Sequence, residues 1–132
     1  MLRMVRLPSA LIIDDEAHIR LFLRTLLEAA GAGEIREAAN GAEGAGLYAQ
    51  QPADVVLLDL NMPGQTGLET LTQIMANDPE ATVIIVTSQH DRDTVLECQD
   101  HGAAGFLLKS RPKDELLAAL REFFADASDA GT

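Results

Sequence analysis

The chain is short of cysteine, of positive charge and of long apolar runs, and each shortage removes a class of function. A single cysteine, Cys98, excludes an internal disulfide, and without a cysteine cluster a structural zinc site is not expected. Ten Lys and Arg side chains face 21 Asp and Glu, a net charge of −11. The basic stripe that a phosphate backbone requires is therefore missing, and direct nucleic-acid binding is not expected. The acidity suits a cation site or a basic partner surface, but equally an ordinary solvated exterior. No apolar run approaches the ~18 residues that cross a bilayer, and the N-terminus carries no secretory apolar region with a small-residue cleavage site. A cytoplasmic protein without membrane contact is the expectation. Three catalytic patterns are also missing: a Ser-His-Asp set in a nucleophile elbow, a P-loop lysine with its glycines, and HExxH zinc spacing. His18, His90 and His101 have no Cys or His partner at metal-ligand spacing and are expected on the surface.

Apolar residues make up 47% of the 132 and charged residues 23%, which suits one globular domain able to fold alone. The domain is placed at residues 7–126, with 1–6 and 127–132 as flexible termini and no further domain expected.

Five short apolar runs, near residues 9–14, 34–39, 54–59, 82–87 and 105–109, alternate with helical patterns, as in a parallel sheet wrapped by helices. The third, Val55 Val56 Leu57 Leu58, and the fourth, Val83 Ile84 Ile85 Val86, are continuously apolar, as interior strands must be. Glu34 Ile35 Arg36 Glu37 Ala38 is polar enough to be an edge strand. Ile19, Phe22, Leu23, Leu26, Leu27 and Ala30 form one helical stripe that Gly31 or Gly33 stops. Leu116, Leu117, Leu120, Phe123 and Phe124 form another, with Pro112 at its first turn and Asp114 and Glu115 favouring the helix dipole. Shorter helices are expected over 41–50, 67–77 and 92–101.

The polar residues at the strand ends carry the chemistry. Asp14 and Asp15 follow the first strand, Asp59 the third, Thr87 and Ser88 close the fourth, and Lys109 follows the fifth. In a parallel sheet these ends share one rim, where open α/β folds bind their ligands. Three clustered carboxylates repel one another unless a cation offsets them, and Mg²⁺ is the ion that hard oxygen ligands suit. Lys109 supplies a mobile point charge for a phosphate oxygen and Thr87 a hydroxyl donor. A carboxylate so surrounded can attack phosphorus to give an acyl phosphate.

Asp14 Asp15, the run Asp59 Leu60 Asn61 Met62 Pro63 Gly64, Thr87 Ser88 and Lys109, in that order and spacing, resemble the receiver domains of bacterial two-component response regulators, including the single-domain chemotaxis type. The resemblance covers residues 9–125. It implies a doubly wound (βα)5 three-layer α/β sandwich, flavodoxin-like, with a parallel sheet in the order 2-1-3-4-5. It implies Asp59 as phosphoacceptor, and Mg²⁺ or Mn²⁺ held by Asp15, Asp59 and the Asn61 backbone carbonyl, with Asp14 acting through water. Thr87 and Lys109 would bind the phosphoryl group. Thr87 and Phe106 would form the switch, and Ser88, Asn61 and Gln89 would tune phosphate access and dephosphorylation. The implied partners are a sensor histidine kinase or phosphotransfer protein and an output protein or second copy, engaged through the face of the fourth helix, fifth strand and fifth helix. Such a domain is not an enzyme beyond its own phosphorylation and slow dephosphorylation.

One position departs from the family: Ser110 stands where Pro usually follows the Lys in a cis peptide, and a cis bond to Ser costs ~2.5–4 kcal/mol. Phe106 also lacks the hydroxyl of the Tyr that many relatives carry. Residue by residue, plainer readings exist: either Asp14 or Asp15 as a helix cap, Lys109 as a surface lysine, Thr87 as a strand residue, Phe106 as core. Two other functions suit parts of the pattern. One is a receiver-like interaction module that does not use phosphate. The other is a haloacid-dehalogenase-type phosphatase, which wants an Asp where Asn61 stands.

Overall fold

The computed structural model describes residues 7–88 and 91–130, the last five of these by backbone alone. Gln89 and His90 lie outside the described residues, as do 1–6 and 131–132.

Strands β1 (Ala10–Ile13), β2 (Ile35–Ala38), β3 (Val55–Leu58), β4 (Val83–Thr87) and β5 (Gly105–Leu108) alternate with helices α1 (Ala17–Ala30), α2 (Gly41–Gln50), α3 (Gly67–Asn77), α4 (Arg92–Asp100) and α5 (Lys113–Ala130). All pairings are parallel and the order is β2-β1-β3-β4-β5, the flavodoxin-like arrangement. The interior strands β3 and β4 are buried throughout, while β2 and β5, at the edges, are half-buried. The α5 helix continues to Ala130, four residues past the domain boundary read from the sequence at 126, through the helix-favouring Ala127 and Ala130.

Side-chain alternation divides the core in two. Leu11, Ile13, Val56, Leu58, Val83 and Ile85 meet α2, α3 and α4, whereas Ala10, Ile12, Val55, Leu57, Ile84 and Val86 meet α1 and α5. Leu23, Leu26 and Leu27 of α1 pack with Leu116, Leu120 and Phe124 of α5, and each fully buried leucine contributes about 1.5–3 kcal/mol. Gly31 ends α1 in the left-handed conformation. Helix α3 starts in a capping box: Glu69 N–H donates to Thr66 Oγ1 (3.2 Å) and Thr66 N–H to Glu69 Oε1 (3.1 Å).

Candidate functional site

The strand ladders run one bond beyond the strands, and those extra bonds set out the rim. Asp14 N–H donates to Ala38 O (3.1 Å), Asp59 N–H to Ile13 O (3.0 Å) and Lys109 N–H to Thr87 O (2.8 Å). Asp14 and Asp59 thus leave adjacent strands side by side, and Lys109 is seated beside Thr87. From the edge strand β5, the long Lys109 side chain reaches over β4, bringing Nζ to 3.4 Å from Asp59 Oδ1 and 3.0 Å from Asp14 Oδ2.

Asp14 is 1% exposed and Asp59 4%, whereas Asp15 faces solvent. Each of the three offers a carboxylate oxygen within 4.8 Å of the others. Burial raises the pKa of Asp59 above its ordinary value; the Lys109 ammonium opposes this, Asp14 adds to it, and the Asn61 N–H lowers it. Burial lowers that of Lys109, but the Asp14 and Asp59 carboxylates outweigh it and hold the ammonium above its usual value. Both polar contacts to the Asp59 carboxylate among the described residues, Lys109 Nζ and the Asn61 N–H at 3.4 Å, fall on Oδ1.

Helix capping does not account for the acidic pair. The N-cap of α1 is Glu16, without a side-chain cap bond, and Asp14 Oδ1 instead accepts from the Glu16 N–H at 2.9 Å. The other oxygen of Asp14, Oδ2, is buried with the Lys109 ammonium at 3.0 Å as its partner. An all-oxygen trio of carboxylates converging within 4.8 Å, two of them buried and one open to water, fits a hard divalent cation.

The loop after Asp59 is fitted closely around it. A side chain at Gly67 would collide with the Asp59 carbonyl and Leu60 Cα, and the Gly67 N–H donates to Leu60 O at 3.0 Å. Asn61 and Ser88 are exposed beside the rim and Thr87 is wholly buried. Gln89, expected to tune dephosphorylation, lies outside the described residues. Phe106 is half-buried, packed in part against the α2–α3–α4 side of the core. It also lines a groove of about 630 Å³ with Val95, Arg111, Glu115 and Ala119, so it is neither plain core nor plain surface. No cis peptide occurs among the described residues, and Lys109–Ser110 is trans. His18 and His101 are exposed, as expected.

A basic pair passed over in the sequence lies behind the acidic rim. Arg20 and Arg24 of α1 both bind Glu37 of β2, at 3.2 and 2.6 Å, and Arg20 Nη1 also donates to the Asp14 carbonyl at 2.8 Å.

The family model of the response regulator receiver domain matches residues 10–121. The chain belongs to that family. It is 35% identical over 112 residues to the chemotaxis protein CheY of Listeria monocytogenes, covering 85% of this chain and 94% of that one. It is 38% identical over 114 residues to the nitrate/nitrite response regulator NarP of Escherichia coli, 86% of this chain but 53% of that protein, so it spans about half of the latter. Among solved structures, the CheX-CheY-BeF3-Mg complex of Borrelia burgdorferi superposes with a TM-score of 0.82 at 29% identity, over 88% of each chain. Receiver domains are regulatory elements rather than classical enzymes, and the family binds Mg²⁺ at an acidic cluster such as Asp14, Asp15 and Asp59. They act with kinases and output partners. No helix among the described residues is long and apolar enough to cross a membrane.

Proposed function

We propose that this receiver is a phosphorylation switch in which Asp59 accepts a phosphoryl group from a histidine kinase or phosphotransfer protein. The reading rests on one observation above all: a buried Asp59 carboxylate within 3.4 Å of Lys109 and beside two further carboxylates, at the strand-end rim. An Asp59 oxygen attacks phosphorus, the O–P bond forms as the donor's P–N bond breaks, and the departing imidazole keeps the electron pair and takes a proton from solvent. Hydrolysis later returns the carboxylate and inorganic phosphate.

Asp15, Asp59 and the Asn61 carbonyl would hold Mg²⁺ or Mn²⁺, and Asp14 would contact it through water. Bound there, the cation neutralises charge on the transferring phosphoryl oxygens. Lys109 pairs with a second oxygen, and the Thr87 hydroxyl moves to a third. Thr87 and Phe106 then reset the α4–β5–α5 face, shifting a pre-existing equilibrium toward the form that binds an output protein or a second copy. Exposed Ser88 and Asn61, together with Gln89, would set how readily water and donor reach the phosphoryl group.

Treating the protein with acetyl phosphate and Mg²⁺ and measuring intact mass tests the reading. A phosphoryl adduct that Asp59→Ala abolishes is expected; an adduct indifferent to that change, or none, overturns it.

A further inference from the structure

The turn that presents Asp15 follows a strand end held by three hydrogen bonds besides the Lys109 ion pair at Asp14 Oδ2. The Asp14 N–H is bonded to Ala38 of β2, its Oδ1 takes the Glu16 N–H, and its carbonyl takes Arg20 Nη1 at 2.8 Å. The first two bonds are to the backbone of β2 and to the turn itself. The third is the side-chain tie from α1 to Asp14; it adds to the backbone bonds from the Ile19 and Arg20 N–H groups to Glu16 O, in a first turn that has no capping side chain. The Arg20 head is itself held, its Nε donating to Glu37 Oε1 at 3.2 Å, and its side chain is 19% exposed. Glu37, shared with Arg24, offsets part of the guanidinium charge that would otherwise repel a cation bound nearby.

Arg24 provides an internal comparison. It binds the same Glu37, at 2.6 Å, but its remaining donor goes to Ile35 O on β2 at 3.1 Å and not to the acidic turn. Both arginines join α1 to β2, and Arg20 alone of the two reaches Asp14.

We infer that Arg20 is a positioning residue for the cation site: braced by Glu37, it grips the Asp14 carbonyl and so aims the Asp15 carboxylate at the ion. The inference rests on the cation reading of Asp14, Asp15 and Asp59. Partners that orient metal ligands without touching the metal change affinity by ~10–100-fold when lost.

Mg²⁺ affinity of the unphosphorylated protein, measured by calorimetric titration, tests this. Arg20→Gln is expected to weaken Mg²⁺ binding by about tenfold. Arg24→Gln is expected to keep wild-type affinity despite a comparable loss of thermal stability. Arg20→Lys, which keeps a donor and the charge, is expected to recover part of the loss, and Glu37→Gln, which frees the brace, to weaken binding without altering any residue of the rim. Equal affinity in Arg20→Gln and wild type overturns the inference, as does an equal loss in Arg24→Gln, which would mark a general effect of the α1–β2 ion pairs. Failure of the wild type itself to bind Mg²⁺ overturns the cation reading, and the inference with it.

Discussion

Lys109 Nζ lies nearer to Asp14, at 3.0 Å, than to Asp59, at 3.4 Å, and so bridges the carboxylates of two adjacent strands. The ammonium and a divalent cation therefore compete for the same charge. Lys109→Met is expected to raise Mg²⁺ affinity severalfold in a calorimetric titration. The same change is expected to lower stability in the absence of Mg²⁺ by about 3 kcal/mol, because it strands two buried carboxylates. An unchanged or weaker Mg²⁺ affinity would contradict the competition.

The pH dependence of stability follows from Asp59. Burial sets its folded pKa above the ordinary 3.8, despite Lys109. A raised carboxyl stabilises fully below the unfolded value, and that contribution is lost as pH rises through the folded value. At neutral pH the ionised, buried Asp59 is thus a liability, while Lys109 retains Asp14 as a partner. Without Mg²⁺, Asp59→Asn is expected to melt above wild type at pH 7, the gap closing toward pH 3.8. Thermal scans across that window check it, and a variant that melts below wild type at pH 7 speaks against it.

Gly67 packs its α-carbon against the Asp59 carbonyl, leaving no room for a methyl group. Because the obstacle is backbone, Gly67→Ala must displace the β3–α3 loop. A loss of about 1–3 kcal/mol in denaturant unfolding is expected, together with slower acceptance of phosphate from acetyl phosphate. Wild-type stability and rate would show that the loop yields at no cost.

Much of this was legible in the sequence because strand burial writes itself as composition: Val55–Leu58 and Val83–Val86 are unbroken apolar runs, and both lie inside the sheet. The rim was legible for a similar reason, since Asp59 and Lys109 directly follow apolar strand residues. Arg20, Arg24 and Glu37 were not legible. Their partners lie 13 or 17 positions apart, and only the packing of α1 beside edge strand β2 brings them together. The polarity of β2 signalled an edge but not that Glu37 serves two arginines. The Thr66 to Glu69 capping box was readable as a pattern and passed unnoticed beneath the apolar spacing of α3.

Thr87 is fully buried at the end of β4, next to the strand that carries Phe106. Thr87→Ala is expected to keep phosphorylation at Asp59, at a stability cost of about 1 kcal/mol, and to lose the response at Phe106. Intact mass reads the first and aromatic NMR the second. A full Phe106 response without the hydroxyl would remove Thr87 from the switch.

The most direct measurement of the switch is the amide NMR spectrum of the protein titrated with beryllofluoride in the presence of Mg²⁺. Shifts are expected to start at Asp59, Thr87 and Lys109, to extend through Phe106 to α4 and α5, and to vanish both in Asp59→Ala and when Mg²⁺ is withheld. A spectrum unmoved by beryllofluoride, or one moved equally in Asp59→Ala, would contradict it.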